Sequence, residues 1–135
     1  MYSITFPVRY YEADPMGVVH HSEYIRWFEL ARNRWLHDNG ITNEVCGEEH
    51  VVFPVVHLEC DYKTSARFGG LVTATTEVES FTGARITMHQ TVLDEQGRLC
   101  AEGRVVLGFL NTDTGRVMRC PERLAELINK ELKTA

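Results

Sequence analysis

The stretch SEYIRWFELARNRWLHDNG, residues 22–40, decides the fold class of this chain. Its apolar residues recur at steps of three and four, the period of an amphipathic helix, and they are Tyr24, Ile25, Phe28, Ala31, Trp35 and Leu36. Ser22 is a predicted N-cap with Glu23 in the first turn, and Gly40 stands where a left-handed residue closes a helix. We therefore predict one long, largely buried helix over residues 22–39.

On both sides of this helix the apolar pattern changes to a period of two, which is typical of half-buried strands. One strand is predicted before the helix at residues 3–10, followed by a loop at residues 11–17 that contains a proline and a glycine. Four strands are predicted after it, at residues 51–62, 71–81, 84–93 and 99–110, and a terminal helix begins with Pro121 at its first position. This order predicts an α+β fold in which an antiparallel sheet wraps around one helix.

Length and composition indicate one globular domain over residues 1–135, with 44% apolar and 24% charged residues. The formal charge of −5 gives no reason to expect a nucleic-acid partner, and no apolar run approaches the ~20 residues that span a membrane. The four cysteines form no Cys-x-x-Cys pair. Since the sequence also shows no signal-peptide pattern, we expect reduced structural thiols and a cytoplasmic location.

The predicted sheet leaves edges open. Five strands with one face on a helix still expose an edge strand, and such edges are commonly paired with a second chain. We therefore expect a homodimer or a dimer of dimers, which is a homotetramer.

The stretch YYEADPMGVVHHSEY, residues 10–24, carries the chemistry, because it places the carboxylates of Glu12 and Asp14, two histidines and a glycine at the entry to an apolar helix. Asp14 lies a few residues before the helix N-terminus, whose unpaired N–H groups suit a developing oxyanion. A carboxylate beside such a helix end favours acyl transfer. The opposing interpretation makes Glu12 and Asp14 solvated loop acids, with His20 and His21 shaping the helix entry.

Two blocks of sequence resemble a known family. The pattern Asp14-Pro15-x-Gly17-x-Val19-x-x-x-x-Tyr24 resembles the signature of the 4-hydroxybenzoyl-CoA thioesterase branch of the hotdog-fold superfamily. The block FPVVHLECDYKTSARFGGL, residues 53–71, resembles the second block of that family, in which a strand ending in Tyr meets a tight turn with a basic residue. The resemblance covers nearly the whole chain. It implies a hotdog fold with active sites at the interface between subunits.

The resemblance also implies roles for single residues. Asp14 falls on the catalytic carboxylate, which acts as a nucleophile to give a mixed anhydride or as a general base for water. His21 falls beside the thioester, and Gly17 allows a close backbone approach or simply shapes a turn. Glu23 replaces an Asn of many relatives, so it disfavours carboxylate-bearing substrates or helps to activate water. Ser65 replaces a turn proline and changes only turn rigidity.

The implied reaction is hydrolysis of an acyl-CoA to the free acid and CoA, without a metal or redox cofactor, since coenzyme A belongs to the substrate. Lys63, Arg67 and Arg85 are candidate contacts for the CoA phosphates. Tyr24 is a candidate contact for the acyl group, and the aromatic residues of the helix favour a hydroxybenzoyl-like acyl group, although core packing explains them equally well. A short- or medium-chain acyl group is the other possibility.

Three alternatives stay open. A metal site at Glu12, Asp14, His20 and His21 is disfavoured because no His-x-His or His-x-x-x-His pair occurs. A hotdog thioesterase or dehydratase acting on acyl-carrier-protein substrates shares the fold, but the dehydratase acid normally sits on the central helix. A non-catalytic acyl-binding subunit is the third, because a motif does not prove turnover.

Overall fold

The computed structural model describes residues 1–134 and gives the following elements. A short 3-10 turn at Tyr10–Glu12 follows the first strand. The helices and strands are β1 (Tyr2–Pro7), α1 (His21–Asp38), α2 (Asn43–Glu48), β2 (Val51–Val52), β3 (Val55–Tyr62), β4 (Leu71–Phe81), β5 (Ile86–Leu93), β6 (Leu99–Leu107), β7 (Leu110–Asn111) and α3 (Glu122–Thr134).

A five-stranded antiparallel sheet in the order β1-β4-β5-β6-β3 forms the body of the fold. Helix α1 packs across β1, β4 and β5, and its buried face contains Trp27, Phe28 and Trp35. Helix α3 packs on β4 and adds Leu124 and Ile128 to the core beside Trp35. The predicted α+β class, with a sheet around one long helix, is confirmed.

Helix α1 and the sheet are in close contact at Gly103 of β6. A Cβ atom at this position would stand 2.6 Å from the Glu59 carbonyl oxygen and 2.7 Å from the Phe28 ring. Both distances are shorter than real Cβ contacts. The packing of α1 on the sheet therefore requires glycine, which has no side chain, at position 103.

Two predicted strands are wrong in extent. Residues 51–62 were expected as one strand, but Pro54, which has no N–H to donate, separates β2 from β3. Strand β2 then pairs with β7, whereas β3 pairs with β6. Residues 99–110 divide in the same way after Leu107.

Smaller corrections concern the ends of elements. The strand predicted at 3–10 stops at Pro7, because the chain turns into the 3-10 segment. Strand β5 begins at Ile86 and not at Ala84, because Thr82 and Arg85 close a turn through a 3.0 Å bond from N–H to carbonyl. Pro121 precedes α3 instead of occupying its first position.

The ends of α1 are set by His20 and Gly40. The N-cap is His20 and not Ser22, because His20 Nδ1 accepts the Ser22 N–H at 3.3 Å. Gly40 adopts a φ of +86°, which confirms the predicted left-handed residue after the helix.

Strand β3 lies at an edge of the sheet, with Val55 and Val56 about half exposed.

Within residues 1–134 no helix combines the length and the apolar character needed to cross a membrane.

Candidate active site

The loop between β1 and α1 is a tight hairpin that carries Asp14. The Gly17 N–H donates to the Asp14 carbonyl at 2.9 Å, and the Asp14 N–H donates to the Val18 carbonyl at 2.8 Å. Pro15 suits the second position of such a turn, and Gly17 has a φ of +77°. A Cβ at Gly17 would meet no atom within 4 Å. Within the chain, backbone conformation and not crowding therefore calls for glycine here.

The turn holds the Asp14 carboxylate by one oxygen. Asp14 Oδ1 accepts the backbone N–H groups of Met16 at 2.9 Å and Val18 at 3.2 Å. No hydrogen bond from the described residues reaches Oδ2, and the residue is exposed. A carboxylate oriented through one oxygen and available at the other suits attack on a carbonyl carbon or abstraction of a proton from water.

The same turn occurs a second time between β5 and β6, with Asp94 in the place of Asp14. Asp94 Oδ1 accepts the N–H groups of Gln96 and Arg98 at 3.0 and 2.8 Å, and Gly97 repeats the positive φ at +81°. The Arg98 guanidinium also donates to Asp94 Oδ2 at 2.7 Å. Burial acts to raise the pKa of Asp94, but the hydrogen bonds from Arg98 outweigh it and lower the pKa. The two turns differ at the second carboxylate oxygen. Oδ2 accepts a hydrogen bond from Arg98 in the Asp94 turn, and it accepts none from the described residues in the Asp14 turn.

A second loop pairs with the Asp14 hairpin. The Phe68 N–H donates to the Gly17 carbonyl and the Val19 N–H to the Ala66 carbonyl, both at 3.0 Å. The cleft beside them is about 470 Å³, and its lining residues are Tyr10, Tyr11, Ala13, Asp14, Pro15, Gly17 and Phe68. The Tyr10 and Phe68 rings meet edge to face at 5.7 Å between centroids, and both are exposed. Exposed aromatic rings around a carboxylate form a surface suited to an apolar acyl group.

A smaller cleft of about 120 Å³ lies at the start of α1. The predicted residues His21, Tyr24 and Lys63 all line it. His21 is the first residue of α1 and is exposed, with its ring 4.2 Å from that of His20 between centroids. The segment from Asp14 to His21 therefore borders both clefts.

Tyr24 is a buried member of this group, 3% exposed. Its ring packs edge-on against Trp27 and Tyr62, and its hydroxyl accepts a hydrogen bond from the Ala66 backbone. Burial raises the pKa of the Tyr24 phenol, although the Ala66 N–H opposes that shift. At pH 7 Tyr24 is therefore a neutral phenol.

The other predicted site residues are spread more widely. Glu23 is half-buried in the first turn of α1, where its N–H donates to the His20 carbonyl at 3.0 Å. Arg67 is exposed and borders a different cleft, of about 290 Å³, together with Arg98. Arg85 lies in the turn after β4, at the far end of the sheet from the Asp14 loop, so a single chain does not bring it to Asp14.

Glu12 is buried, so the opposing interpretation that makes it a solvated loop acid is wrong. It is 4% exposed, and its Oε2 accepts the Trp27 indole N–H at 2.7 Å. The one signal in the sequence was Trp27 itself, because a buried indole N–H needs an acceptor. Among residues 1–134 no group of three or more His, Cys, Asp or Glu side chains has the arrangement of a metal site.

A further cavity of about 410 Å³ lies along the second half of α1, and Arg32, Leu36 and Phe53 are among its lining residues. Arg32 is 8% exposed, and no described residue accepts a hydrogen bond from its Nη1. Burial lowers the pKa of this guanidinium, and the nearby Glu29 opposes the shift.

Comparisons with known proteins place this geometry in a family. The profile of the thioesterase-like superfamily matches residues 8–128. The acyl-CoA thioesterase YbgC of Haemophilus influenzae is 38% identical over 92 residues, which are 66% of this chain and 68% of that protein. The acyl-CoA thioester hydrolase YbgC of Escherichia coli O157:H7 is 30% identical over 104 residues, 76% of this chain and 78% of that one. The crystal structure of the DHNA-CoA thioesterase from Staphylococcus aureus superposes with a TM-score of 0.89 at 27% identity, covering 98% of this chain and 91% of that one.

Proposed function

This chain belongs to the thioesterase-like superfamily and is a thioester hydrolase, and we propose that it hydrolyses acyl-CoA thioesters with Asp14 as the acting carboxylate. The hotdog fold of its structural relatives is the fold described above. The proposed reaction uses no metal or redox cofactor, and coenzyme A enters as part of the substrate.

The difference between the two aspartate turns carries this proposal. At Asp94 both carboxylate oxygens are bound by the protein, and the group serves the turn alone. At Asp14 the turn is built in the same way, but the second oxygen is left to a ligand in an exposed, aromatic-lined cleft. Turn formation therefore accounts for the hydrogen bonds of Asp14 Oδ1, and it leaves Oδ2 available to react.

The reaction consumes one water and gives a carboxylic acid and the thiol of CoA. On the nucleophilic route, Asp14 Oδ2 bonds to the thioester carbonyl carbon, the carbon–sulfur bond breaks and CoA leaves as a thiolate that takes up a proton. Water then hydrolyses the mixed anhydride and regenerates Asp14. On the general-base route, Asp14 takes a proton from the attacking water, and the tetrahedral intermediate expels the thiolate directly.

His21 and the first turn of α1 are the proposed partners of Asp14. The exposed imidazole of His21 orients the carbonyl or the water, and the N–H groups at the helix start favour the negative oxygen of the intermediate. Glu23, in the same turn, disfavours acyl groups that carry a carboxylate. The exposed rings of Tyr10, Tyr11 and Phe68 suit an aromatic or a short- to medium-chain acyl group.

We propose a homodimer or a dimer of dimers as the working assembly. The exposed edge strand β3, with Val55 and Val56, supports pairing with a second chain. The four free thiols, at Cys46, Cys60, Cys100 and Cys120, support a location in the reducing cytoplasm.

The test is thiol release from a panel of aromatic and aliphatic acyl-CoAs by the wild type, Asp14→Asn and Asp94→Asn. Asparagine keeps the oxygen that caps each turn, so both variants are expected to fold. We expect cleavage of at least one thioester with a kcat/KM of about 10⁴ M⁻¹s⁻¹ or more. Asp14→Asn should lose about a hundredfold or more, while Asp94→Asn stays within about threefold of the wild type. Equal losses in the two variants, or no cleavage by the wild type, would refute the proposal.

A further inference from the structure

We propose that Glu12 is a positioning residue that holds the Asp14 loop on helix α1, an inference that rests on the proposed function of Asp14. The Glu12 side chain binds two separate points. Its Oε1 accepts the Arg9 backbone N–H and its Oε2 accepts the Trp27 indole N–H, both at 2.7 Å. The Arg9 guanidinium lies 3.7 Å from Oε2. One buried carboxylate thus joins the end of the β1 segment to the second turn of α1.

The Glu12 backbone fastens the same region. The Glu12 carbonyl accepts the N–H of His20, the N-cap of α1, at 3.1 Å, and the Glu12 N–H donates to the Arg9 carbonyl at 3.0 Å. The chain leaves Glu12, makes the Asp14 hairpin and returns to Glu12 at His20. Glu12 therefore closes the base of the loop that carries the acting carboxylate.

Trp27 makes this anchor rigid. It is 1% exposed, and its ring packs edge-on against Phe6 at 5.5 Å and Tyr24 at 5.3 Å between centroids. Because Trp27 is locked into the core, the Glu12 carboxylate bound to it has a fixed position relative to α1. The position of Asp14 relative to His21 on that helix is then fixed as well.

The site requires a carboxylate. Within residues 1–134 the side chain of Glu12 meets only donors, namely the indole N–H, the Arg9 N–H and the Arg9 guanidinium. An ionised carboxylate only accepts, whereas an amide would turn an NH₂ group towards one of these donors. Glu12→Gln is nearly the same size, so it changes the hydrogen bonding and little else. A buried donor without an acceptor is then left in the base of the loop.

The experiment compares the wild type with Glu12→Gln and Trp27→Phe, using the acyl-CoA that the wild type cleaves fastest. A loosened loop should lower kcat by about tenfold or more with KM within about twofold, because misplacing a reacting group by a fraction of an ångström raises the barrier to chemistry. Hydrogen exchange at the amides of Val18, Val19 and His20 should quicken by about tenfold. Trp27→Phe should move both quantities in the same direction by a smaller factor.

Gln90→Met is the matched control, because Gln90 Nε2 makes an equally buried bond of 2.7 Å to the Phe28 carbonyl of the same helix. It should lower the melting temperature without changing kcat or the exchange of the loop amides. If Glu12→Gln lowers the melting temperature but keeps wild-type kcat and loop exchange, the role of Glu12 is structural only and the proposal is wrong. Trp27→Phe decides the matter if Glu12→Gln does not fold. If the wild type cleaves no thioester, the exchange measurement still tests the anchor while the proposed function fails separately.

Discussion

The Tyr24 hydroxyl accepts the Ala66 backbone N–H at 3.0 Å and so joins helix α1 to the loop before β4 across 42 residues of sequence. The basic residues Lys63 and Arg67 lie on either side of Ala66. This bond therefore holds Lys63 beside the helix start, where the smaller cleft opens, and holds Arg67 at the neighbouring cleft of about 290 Å³.

Coenzyme A recognition is expected to depend on these two cations. Lys63→Gln and Arg67→Gln should each raise KM for an acyl-CoA by about two- to fivefold with little change in kcat, because exposed charge pairs contribute about 0.2–1 kcal/mol. Arg85→Gln should leave KM unchanged, because the eleven-residue strand β4 separates Arg85 from the site by roughly 30 Å. Steady-state kinetics checks this.

The matched substrate is the corresponding acyl-pantetheine, which lacks the nucleotide phosphates of CoA. With the acyl-pantetheine, Lys63→Gln and Arg67→Gln should leave KM unchanged. An equal effect on both substrates would show that these residues do not bind phosphate. A raised KM in Arg85→Gln would mean that a second chain brings its Arg85 to the site.

We expect the free energy of unfolding to fall at alkaline pH, because the thiols of Cys100 and Cys120 ionise more readily in the unfolded chain than in the folded one. Burial raises the pKa of Cys100 to about 11 and that of Cys120 to about 12, from the ordinary value of 9.0 for a thiol. The folded chain therefore holds these protons more tightly than the unfolded chain does, so this stabilisation is fully present below about pH 9 and is lost between about pH 9 and 12. Urea unfolding at pH 7.5, 9 and 10 measures the free energy of unfolding.

A variant with both Cys100→Ala and Cys120→Ala should show a smaller decline over the same range. If it declines as steeply as the wild type, other groups are responsible. The native thiols should also react slowly with a disulfide reagent at pH 8, so that they add little background to the thiol-release assay.

Replacing Arg32 is expected to stabilise the chain. Its guanidinium is buried, and Nη1 has no hydrogen-bond partner among residues 1–134. An apolar side chain of similar length avoids the cost of burying that charge. Arg32→Met should raise the free energy of unfolding by about 1–3 kcal/mol. The exposed Arg26 of the same helix is the control, since Arg26→Met should change it by less than about 0.5 kcal/mol. Denaturant unfolding compares the two, and a destabilised Arg32→Met would reveal an anionic partner of Arg32 in solution.

The sequence predicted the long helix to within one residue at each end, because its apolar period and Gly40 point to the same boundaries. It missed the break at Pro54, because the alternating pattern continues through both β2 and β3 while the pairing partner changes. Strand partners depend on contacts distant in sequence, which local periodicity does not contain.

The parts of the site that lie close together in the sequence could be predicted. The Asp14 hairpin and the helix start lie within one short stretch, so residue types and spacing indicated them together. Arg85 was grouped with Lys63 as a basic residue on a strand after the turn, but the length of β4 carries the chain to the other end of the sheet. The buried role of Glu12 was not predicted, because it depends on Trp27, fifteen residues away.

Positions 28 and 103 compete for the same volume, because the Phe28 ring of α1 packs directly on Gly103 of β6. The Phe28 ring occupies the space that a side chain on β6 would need, so bulk gained at one position must be given up at the other. Because Phe28 follows Trp27 directly, a larger residue at 103 would push on the turn of α1 that anchors the Asp14 loop. A change of residue on the inner strand β6 is thereby coupled to the position of Asp14, the acid that we propose does the chemistry.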